Sequence, residues 1–328
     1  MLDSLRRRNH ILPLIVLIIG LASTWFAFTI YAGLSIVILC CTMFLFYVET
    51  IAQMSFRAPR KRKPPLDDPD WVKVKHQVSN HVMVTHHFMQ DTSSPTVFIC
   101  HGWTSGSQRM IGRAQLFIEH GYHVILIDLP GHGESQSITK WTAEQSSTMV
   151  IDTLNQLHSS HPNLFGTRML VYGHSMGAFI SLRLSKRRHE LTMHSLLSGW
   201  IAESPMTGYT GIFDETCDLL RIPSILRPLV LRKTMRQFNA LNIGTTNLNS
   251  LSDVDCPDWG KYTEPTLLIQ ADPDERLGSA HYLRLQRVMN ATSPSMLTSK
   301  LMDDLAHSGE AVHPGRDAVI QQWIEKEF

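Results

Sequence analysis

The chain has 328 residues, with 30 Lys and Arg against 29 Asp and Glu and a formal net charge of +1. That balance gives no global case for nucleic-acid binding. Charged residues are only 18% of the total, below the usual quarter, which points to an unusually apolar segment within a length that allows one large domain or two ordinary ones.

The segment comes early. After a basic N-terminus (1–10) with Arg6, Arg7 and Arg8, residues 11–48 carry no charged side chain over 38 positions. A spanning helix needs about 20 such residues, and a signal peptide has an apolar region of about 7–15. As one helix the run would be about 57 Å long, far more than a bilayer core needs. Two short helices with a turn near Thr29–Gly33 fit better. Basic residues also follow the run, at Arg57, Arg60, Lys61, Arg62 and Lys63. Positive flanks stay on the cytoplasmic side, so a hairpin puts both ends and the main domain there. Residues 49–70 then read as a basic, proline-containing linker, and the folded domain is expected from about Trp71 to Phe328.

Within that domain, short apolar runs alternate with helical stretches. The runs are "TVFICHG" (96–102), "HVILIDLPGHG" (123–133), "MLVYGHS" (169–175), "SLLSGWIAESP" (195–205), "PTLLIQADPD" (265–274) and "SMLTSKLMDD" (295–304). Continuous apolar runs of this length suit strands buried on both faces. Helices are expected over 107–121, 142–160, 176–188, 278–290 and 315–328. The alternation predicts an α/β class with a mainly parallel, doubly wound sheet. Residues 206–262 interrupt it and read as a helical cap, with 212–241 broken by Pro223 and Pro228. Its apolar stretch "LLRIPSILRPLVL" (219–231) suits either an acyl-chain pocket or plain packing. Its basic residues Arg221, Arg227, Arg232, Lys233 and Arg236 suit solvent better than headgroups.

"VYGHSMGAF" (171–179) places Ser175 between Gly173 and Gly177. G-x-S-x-G alone is weak; following a buried strand and opening a helix, it becomes a nucleophile elbow. The chain order on such a sheet is Ser, then Asp or Glu, then His. The loop "QADPDERLG" after the fifth run offers Asp272, Asp274 and Glu275. Asp274 is the preferred acid, Asp272 is suited to shaping the turn, and Glu203 is an outside alternative. His307, in "DDLAHSGE", comes after the last strand, where the base is required; His313 is its competitor nearer the final helix. The oxyanion donors expected are the backbone N–H groups of Met176 and of Trp103 in "HGWTSG". His101 and Gly102 shape that loop, His101 as a structural histidine. "DLPGHGES" (128–135) lacks the phosphate-loop pattern and reads as a loop near the pocket entrance. The five cysteines, Cys40, Cys41, Cys100, Cys217 and Cys256, contain no C-x-x-C pair and read as reduced thiols. No side-chain cluster has metal spacing, so neither metal nor cofactor is expected.

Taken in order, "HGWTSG", "GYHVILIDLPGHGES", "GHSMGA", "LLIQADPDERLG" and "AHSGE" resemble the α/β-hydrolase superfamily, and within it the monoacylglycerol lipase, lysophospholipase and serine aminopeptidase-like branch. The likeness covers about residues 80–328 and leaves the N-terminal segment outside. It implies a Ser175–Asp274–His307 triad with oxyanion donors at Trp103 and Met176. Ala271 stands where family members often have glycine, and Ala306 precedes His307 where glycine is usual. The expected activity is that of a serine hydrolase on acyl esters, lipid-derived because the chain sits at a membrane. A thioesterase or small-ester carboxylesterase with the same triad is the alternative, and a non-catalytic binding protein on this fold is a distant third. A peptidase would want an acidic pocket for a free amino terminus, and the cap is basic. The expected partners are a lipid or small acyl ester and, through residues 11–48, a membrane; no nucleic acid or protein partner is implied.

Overall fold

The apolar N-terminal run folds as α1 (Leu12–Phe28) and α2 (Ala32–Met54), joined by a tight turn in which the N–H of Tyr31 donates to the carbonyl of Ala27 at 2.8 Å. The computed structural model describes residues 11–59, 63–309 and 311–328. The basic residues Arg6, Arg7, Arg8, Arg60, Lys61 and Arg62 therefore lie outside the described residues. Next come β1 (Val72–Val78), β2 (His81–Phe88), β3 (Thr96–Cys100), α3 (Ile111–Glu119), β4 (His123–Asp128), α4 (Ala143–Ser160), β5 (Met169–His174), α5 (Met176–Lys186) and β6 (Leu197–Glu203). Two helices follow, α6 (Thr210–Leu219) and α7 (Arg227–Leu241). The chain ends with β7 (Thr266–Ala271), α8 (Ala280–Thr292), β8 (Leu297–Met302) and α9 (Pro314–Glu327).

Two compact units result. One comprises residues 11–58, Thr139–Thr142 and Ile212–Leu251; the other comprises Pro59–Ile138, Ala143–Gly211 and Ser252–Phe328.

In the first unit, α1 and α2 run antiparallel, with the side chain of Thr42 seated over Gly20. Much of their apolar surface faces outward: Trp25 is 74% exposed, and Phe26, Ile36 and Val37 are also exposed. By length and composition α2 is long and apolar enough to cross a membrane, while α1 is shorter. Helix α2 continues past Val48 to Met54, into the stretch expected as linker. The reason is that its last turns are buried. Val48 packs with Cys217, Ile222 and Val230, flanked by Phe44, Ile51, Leu226 and Leu229. Each such side chain, once buried, contributes about 1.5–3 kcal/mol. The polar residues there are satisfied: Gln53 donates to Gln237 Oε1 at 2.7 Å, Lys140 donates to Gln53 Oε1, and Lys233 lies 3.4 Å from Glu49. Four residues of the cap's apolar stretch are thus used in packing on α2. Leu219, Leu220 and Ile225 remain exposed. Pro223 lies between the two cap helices, but Pro228 sits in the first turn of α7, where a missing N–H costs nothing.

The second unit is built on an eight-stranded sheet in the order β1-β2-β4-β3-β5-β6-β7-β8. From β4 to β8 all neighbours are parallel; β1 and β2 add an antiparallel edge. This hairpin is not among the strands read from the sequence. Its residues mix Val with Lys, His and Thr, and its turn is only Ser79–Asn80, with Ser79 at φ 53°. The six expected strands are β3 to β8. One face of the sheet packs Val97, Ile99, Leu126 and Ile201 with Phe117 of α3 and Trp323 of α9. On α5, Phe179 stacks on Trp259 with ring centroids 4.7 Å apart. Only Ile212–Leu251 of the 206–262 stretch groups with the N-terminal helices. Its flanks stay in the second unit, where Asp255 accepts the N–H groups of Tyr209 and Thr210 at 2.7 and 3.2 Å.

Replacing Gln237 with Leu removes the shorter of the two acceptors of the buried Gln53 amide, leaving Glu49 at 3.3 Å, a loss of about 1 kcal/mol. The Gln237→Leu chain is expected to be cut by protease within residues 212–251 faster than wild type. An unchanged cleavage rate there would show that this hydrogen bond does not hold the unit together.

Candidate active site

The parallel strands β3, β5, β7 and β8 end at the same edge of the sheet, and their following loops carry the residues of interest. Ser175 stands between β5 and α5 at φ 54° and ψ −114°. A non-glycine residue held there stores about 1–3 kcal/mol of strain. Its neighbours hold it in place. The Ser175 N–H donates to the carbonyl of Glu203 at 3.0 Å, and its own carbonyl accepts from Ala178 and Met206, both at 3.1 Å. The flanking glycines permit the turn. A Cβ on Gly177 would lie 2.0 Å from the Cys100 carbonyl oxygen, and one on Gly173 would lie 2.5 Å from Ala178 Cα.

The Oγ of Ser175 lies 2.9 Å from His307 Nε2, and His307 Nδ1 lies 2.8 Å from Asp274 Oδ2. Asp274 is nearly buried and accepts further hydrogen bonds from Gln270 Nε2 at 2.8 Å, Arg276 N at 2.9 Å and Leu277 N at 2.8 Å. Burial, the largest single influence, opposes ionisation. The donors from His307, Leu277 and Arg276 together outweigh it and bring the carboxyl down to about 2. An ionised Asp274 requires His307 to carry its proton on Nδ1, so Nε2 presents a lone pair to the Ser175 hydroxyl.

The other candidates are placed elsewhere. Asp272 is exposed, and its N–H donates to the Met302 carbonyl. Glu275 accepts the N–H of His307 at 3.3 Å. His313 caps α9, accepting from Arg316 N at 3.0 Å. Glu203 is fully buried and faces Arg113, not His307, with Arg113 Nε 2.7 Å and Nη2 2.5 Å from its oxygens. Burial opposes its charge, but Arg113 more than compensates and holds the carboxyl well below its usual range.

The loop after β3 lies directly against the serine: a Cβ on Gly102 would lie 3.2 Å from Ser175 Cβ. Trp103 and Ser175 line one cavity of about 260 Å³ within this unit. Met176 opens α5, so its N–H belongs to the helix N-terminus, where negative charge is favoured. His101 is fully buried; its Nδ1–H donates to Gly102 O at 2.7 Å and its Nε2 accepts from Leu129 N at 3.0 Å. No residue of 128–135 lines the cavity. That loop is instead tied to the 3₁₀ turn Ser107–Met110 by Asp128, which accepts from Ser107 and from Glu134 N. Among the described residues no group of His, Cys, Asp and Glu has metal-site geometry, and all five cysteines are unpaired.

Two supports are not in the sequence reading. His174 donates from Nε2 to the carbonyl of His307 at 2.8 Å and pins the base's loop; burial depresses it to about 4, so the ring is neutral. The second is a buried network. Glu203 also accepts from the Tyr172 hydroxyl and lies 3.9 Å from Arg316, whose guanidinium donates to the Ala311 carbonyl at 3.0 Å. The network links β6, α3, β5 and α9 to the loop that carries His307. The sequence signal was Arg113 on the apolar face of "MIGRAQLF". Glu203→Gln leaves the Arg113 guanidinium without its counter-charge in the interior, while Arg316 keeps Asp317 at 2.8 Å, and breaking such a buried pair costs about 3–5 kcal/mol. A clear fall in the thermal midpoint is expected; an unchanged midpoint would mean the network does not bear on stability.

Comparison with known proteins comes after this geometry. The family model described as serine aminopeptidase, S33, matches residues 91–253, a span that contains Ser175 and ends before Asp274 and His307. The (E)-2-((N-methylformamido)methylene)succinate hydrolase of Acinetobacter baylyi is 32% identical over 116 residues, and this match spans 35% of the present chain and 40% of that relative. An esterase of Pyrococcus furiosus superposes with a TM-score of 0.58 at 16% identity, covering 83% of this chain and 97% of its own. Mouse alpha/beta hydrolase domain-containing protein 10 gives 0.55 at 15% identity, covering 78% and 99%. A bacterial membrane phospholipase A gives 0.52 at 16% identity, covering 78% and 86%. At these identities the structural likeness speaks for the fold alone. With the sheet order, the elbow and these likenesses taken together, the chain has the α/β-hydrolase fold, and over residues 91–253 it is similar to the serine aminopeptidase S33 family.

Proposed function

We propose that this chain is a membrane-anchored serine hydrolase that cleaves carboxylic esters through an acyl-enzyme on Ser175. The carrying observation is the continuous line from Ser175 Oγ to His307 Nε2 at 2.9 Å and from His307 Nδ1 to Asp274 at 2.8 Å. His307 takes the hydroxyl proton as Ser175 attacks the ester carbonyl. The N–H groups of Met176 and Trp103 receive the developing oxyanion. His307 then returns the proton to the departing alcohol, and water, deprotonated by the same imidazole, releases the acid. Asp274 holds the imidazole in the required tautomer and stabilises its cation.

The apolar, outward-facing surfaces of α1 and α2 support anchoring as a hairpin. The basic flanks read from the sequence argue for both ends, and the hydrolase unit, on the cytoplasmic side. An enzyme held there meets lipid-derived esters, such as monoacylglycerols or lysophospholipids. A small-ester carboxylesterase is the second reading. It is favoured by a cavity of about 260 Å³, below the usual range of roughly 300–1,000 Å³ for ligand pockets, and by the small dicarboxylate named for the Acinetobacter relative. An aminopeptidase is disfavoured, because Lys63, Arg109 and Arg276 line the cavity and would repel a free amino terminus.

An ester series from short acyl chains to long monoacylglycerols, run on detergent-solubilised wild type and Ser175→Ala, tests the reading. Activity rising with chain length and falling by about 10⁴-fold or more in the variant is expected; turnover of short esters alone would remove the lipid assignment. Because Asp274 stays ionised to about pH 2, Asp274→Asn is expected to lower kcat by about 10⁴-fold across roughly pH 5–9. A variant that only shifts a limb of the pH profile would contradict the role given to Asp274.

A further inference from the structure

The cavity beside Ser175 is unbalanced in charge. Lys63, Arg109 and Arg276 line it, and among the described residues no aspartate or glutamate does. The three come from separate parts of the chain. Lys63 precedes β1, Arg109 lies on the 3₁₀ turn after the Trp103 loop, and Arg276 follows Asp274 by two residues. Arg113 also lines the cavity, but its guanidinium is committed to Glu203. Among the described residues, none of Lys63, Arg109 and Arg276 has a carboxylate within 4.0 Å. The carboxylates just behind the wall are engaged: Asp274 with His307, and Glu275 with the His307 N–H.

Singly, exposed cations contribute little. Three unpaired ones around a concave wall act together, because low-dielectric walls focus their field into the cleft. An anion entering it gains charge-assisted hydrogen bonds, and two of its three partners are guanidinium groups suited to phosphate or carboxylate oxygens. An uncharged ester gains none of this.

We propose that this wall recognises an anionic group on the ester substrate, a phosphate or carboxylate close to the scissile bond. The inference rests on the hydrolase reading above and narrows it: an anionic acyl ester is preferred over a neutral one of the same acyl length, such as a monoacylglycerol. The reaction is unchanged. The ester C–O bond breaks, water supplies the new hydroxyl of the acid and the proton of the alcohol, and the anionic group leaves intact on whichever product carries it.

The test uses full-length protein in a neutral detergent at low ionic strength, with pairs of matched acyl length. One pair is lauroylglycerol and 1-lauroyl-glycerol 3-phosphate; the other is p-nitrophenyl valerate and mono-p-nitrophenyl glutarate. The anionic member of at least one pair is expected to have a kcat/KM higher by about tenfold or more, carried by KM. Preference in the first pair alone assigns a lipid phosphate; preference in the second alone assigns a small carboxylate ester. The preference should shrink toward parity in Arg109→Gln/Arg276→Gln and in Lys63→Gln. In wild type it should shrink as salt rises from roughly 20 to 500 mM. Equal turnover within both pairs, or a preference untouched by salt and by the substitutions, overturns the inference and leaves the hydrolase reading standing. Turnover that survives in Ser175→Ala, or no turnover of any ester by wild type, overturns the hydrolase reading itself.

Discussion

Helix α5 meets the sheet at a distance that no side chain tolerates. The Cβ that Gly177 lacks would sit 2.0 Å from the Cys100 carbonyl oxygen, and that of Gly173 would sit 2.5 Å from Ala178. This approach turns the chain sharply enough to hold Ser175 at φ 54° and to aim its hydroxyl beyond the strand ends. It also brings the start of α5 beside the loop after β3, so that the proposed oxyanion donors and the proposed nucleophile share one place. With Ala at residue 177, helix and strand would have to separate, and every distance in the site would change with them. The strain at Ser175 is tolerated because a large, well-packed sheet surrounds it.

The histidine and its acid depend on a second constraint, one made of charge. Loops are ordinarily the mobile part of a fold, yet His307 must keep its ring within hydrogen-bond reach on both sides. His174 holds its carbonyl, Glu275 its N–H and Asp274 its ring. Further along the same loop, Arg316 holds Ala311 from within the Glu203 network. A carboxylate that sequence order offers as an alternative acid is thus part of the frame under the base. The inference about anionic substrates belongs to the same arithmetic. Of the cations around the cavity, Arg113 has its counter-charge in Glu203, and among the described residues Lys63, Arg109 and Arg276 have none within 4.0 Å.

The legible parts of the chain are those set by local pattern. Five buried parallel strands, β3 to β7, announce themselves as apolar runs, while β8 is the largely exposed edge of the sheet; the order of Ser175, Asp274 and His307 along the chain follows from the strand ends they occupy. The β1–β2 hairpin was not legible, because its alternation uses Lys, His and Thr as well as Val. The continuation of α2 to Met54 was hidden for a different reason. Glu49 and Gln53 look like solvent-facing residues, but they are buried and meet partners from α7, Lys233 for Glu49 and, 184 positions away, Gln237 for Gln53. The pairing of Arg113 with Glu203 is equally long-range, across 90 positions. Periodicity and spacing report which face of an element is apolar; they do not report which distant charge will meet it.

The central claim is that Ser175 is a nucleophile activated by His307 and Asp274. It is tested most directly by treating the full-length protein with a fluorophosphonate and mapping the modified peptide by mass spectrometry. The account predicts a single phosphonylated residue, Ser175, with labelling that slows sharply in His307→Ala and vanishes in Ser175→Ala. Labelling at another serine, or labelling of Ser175 at the same rate without His307, would contradict it.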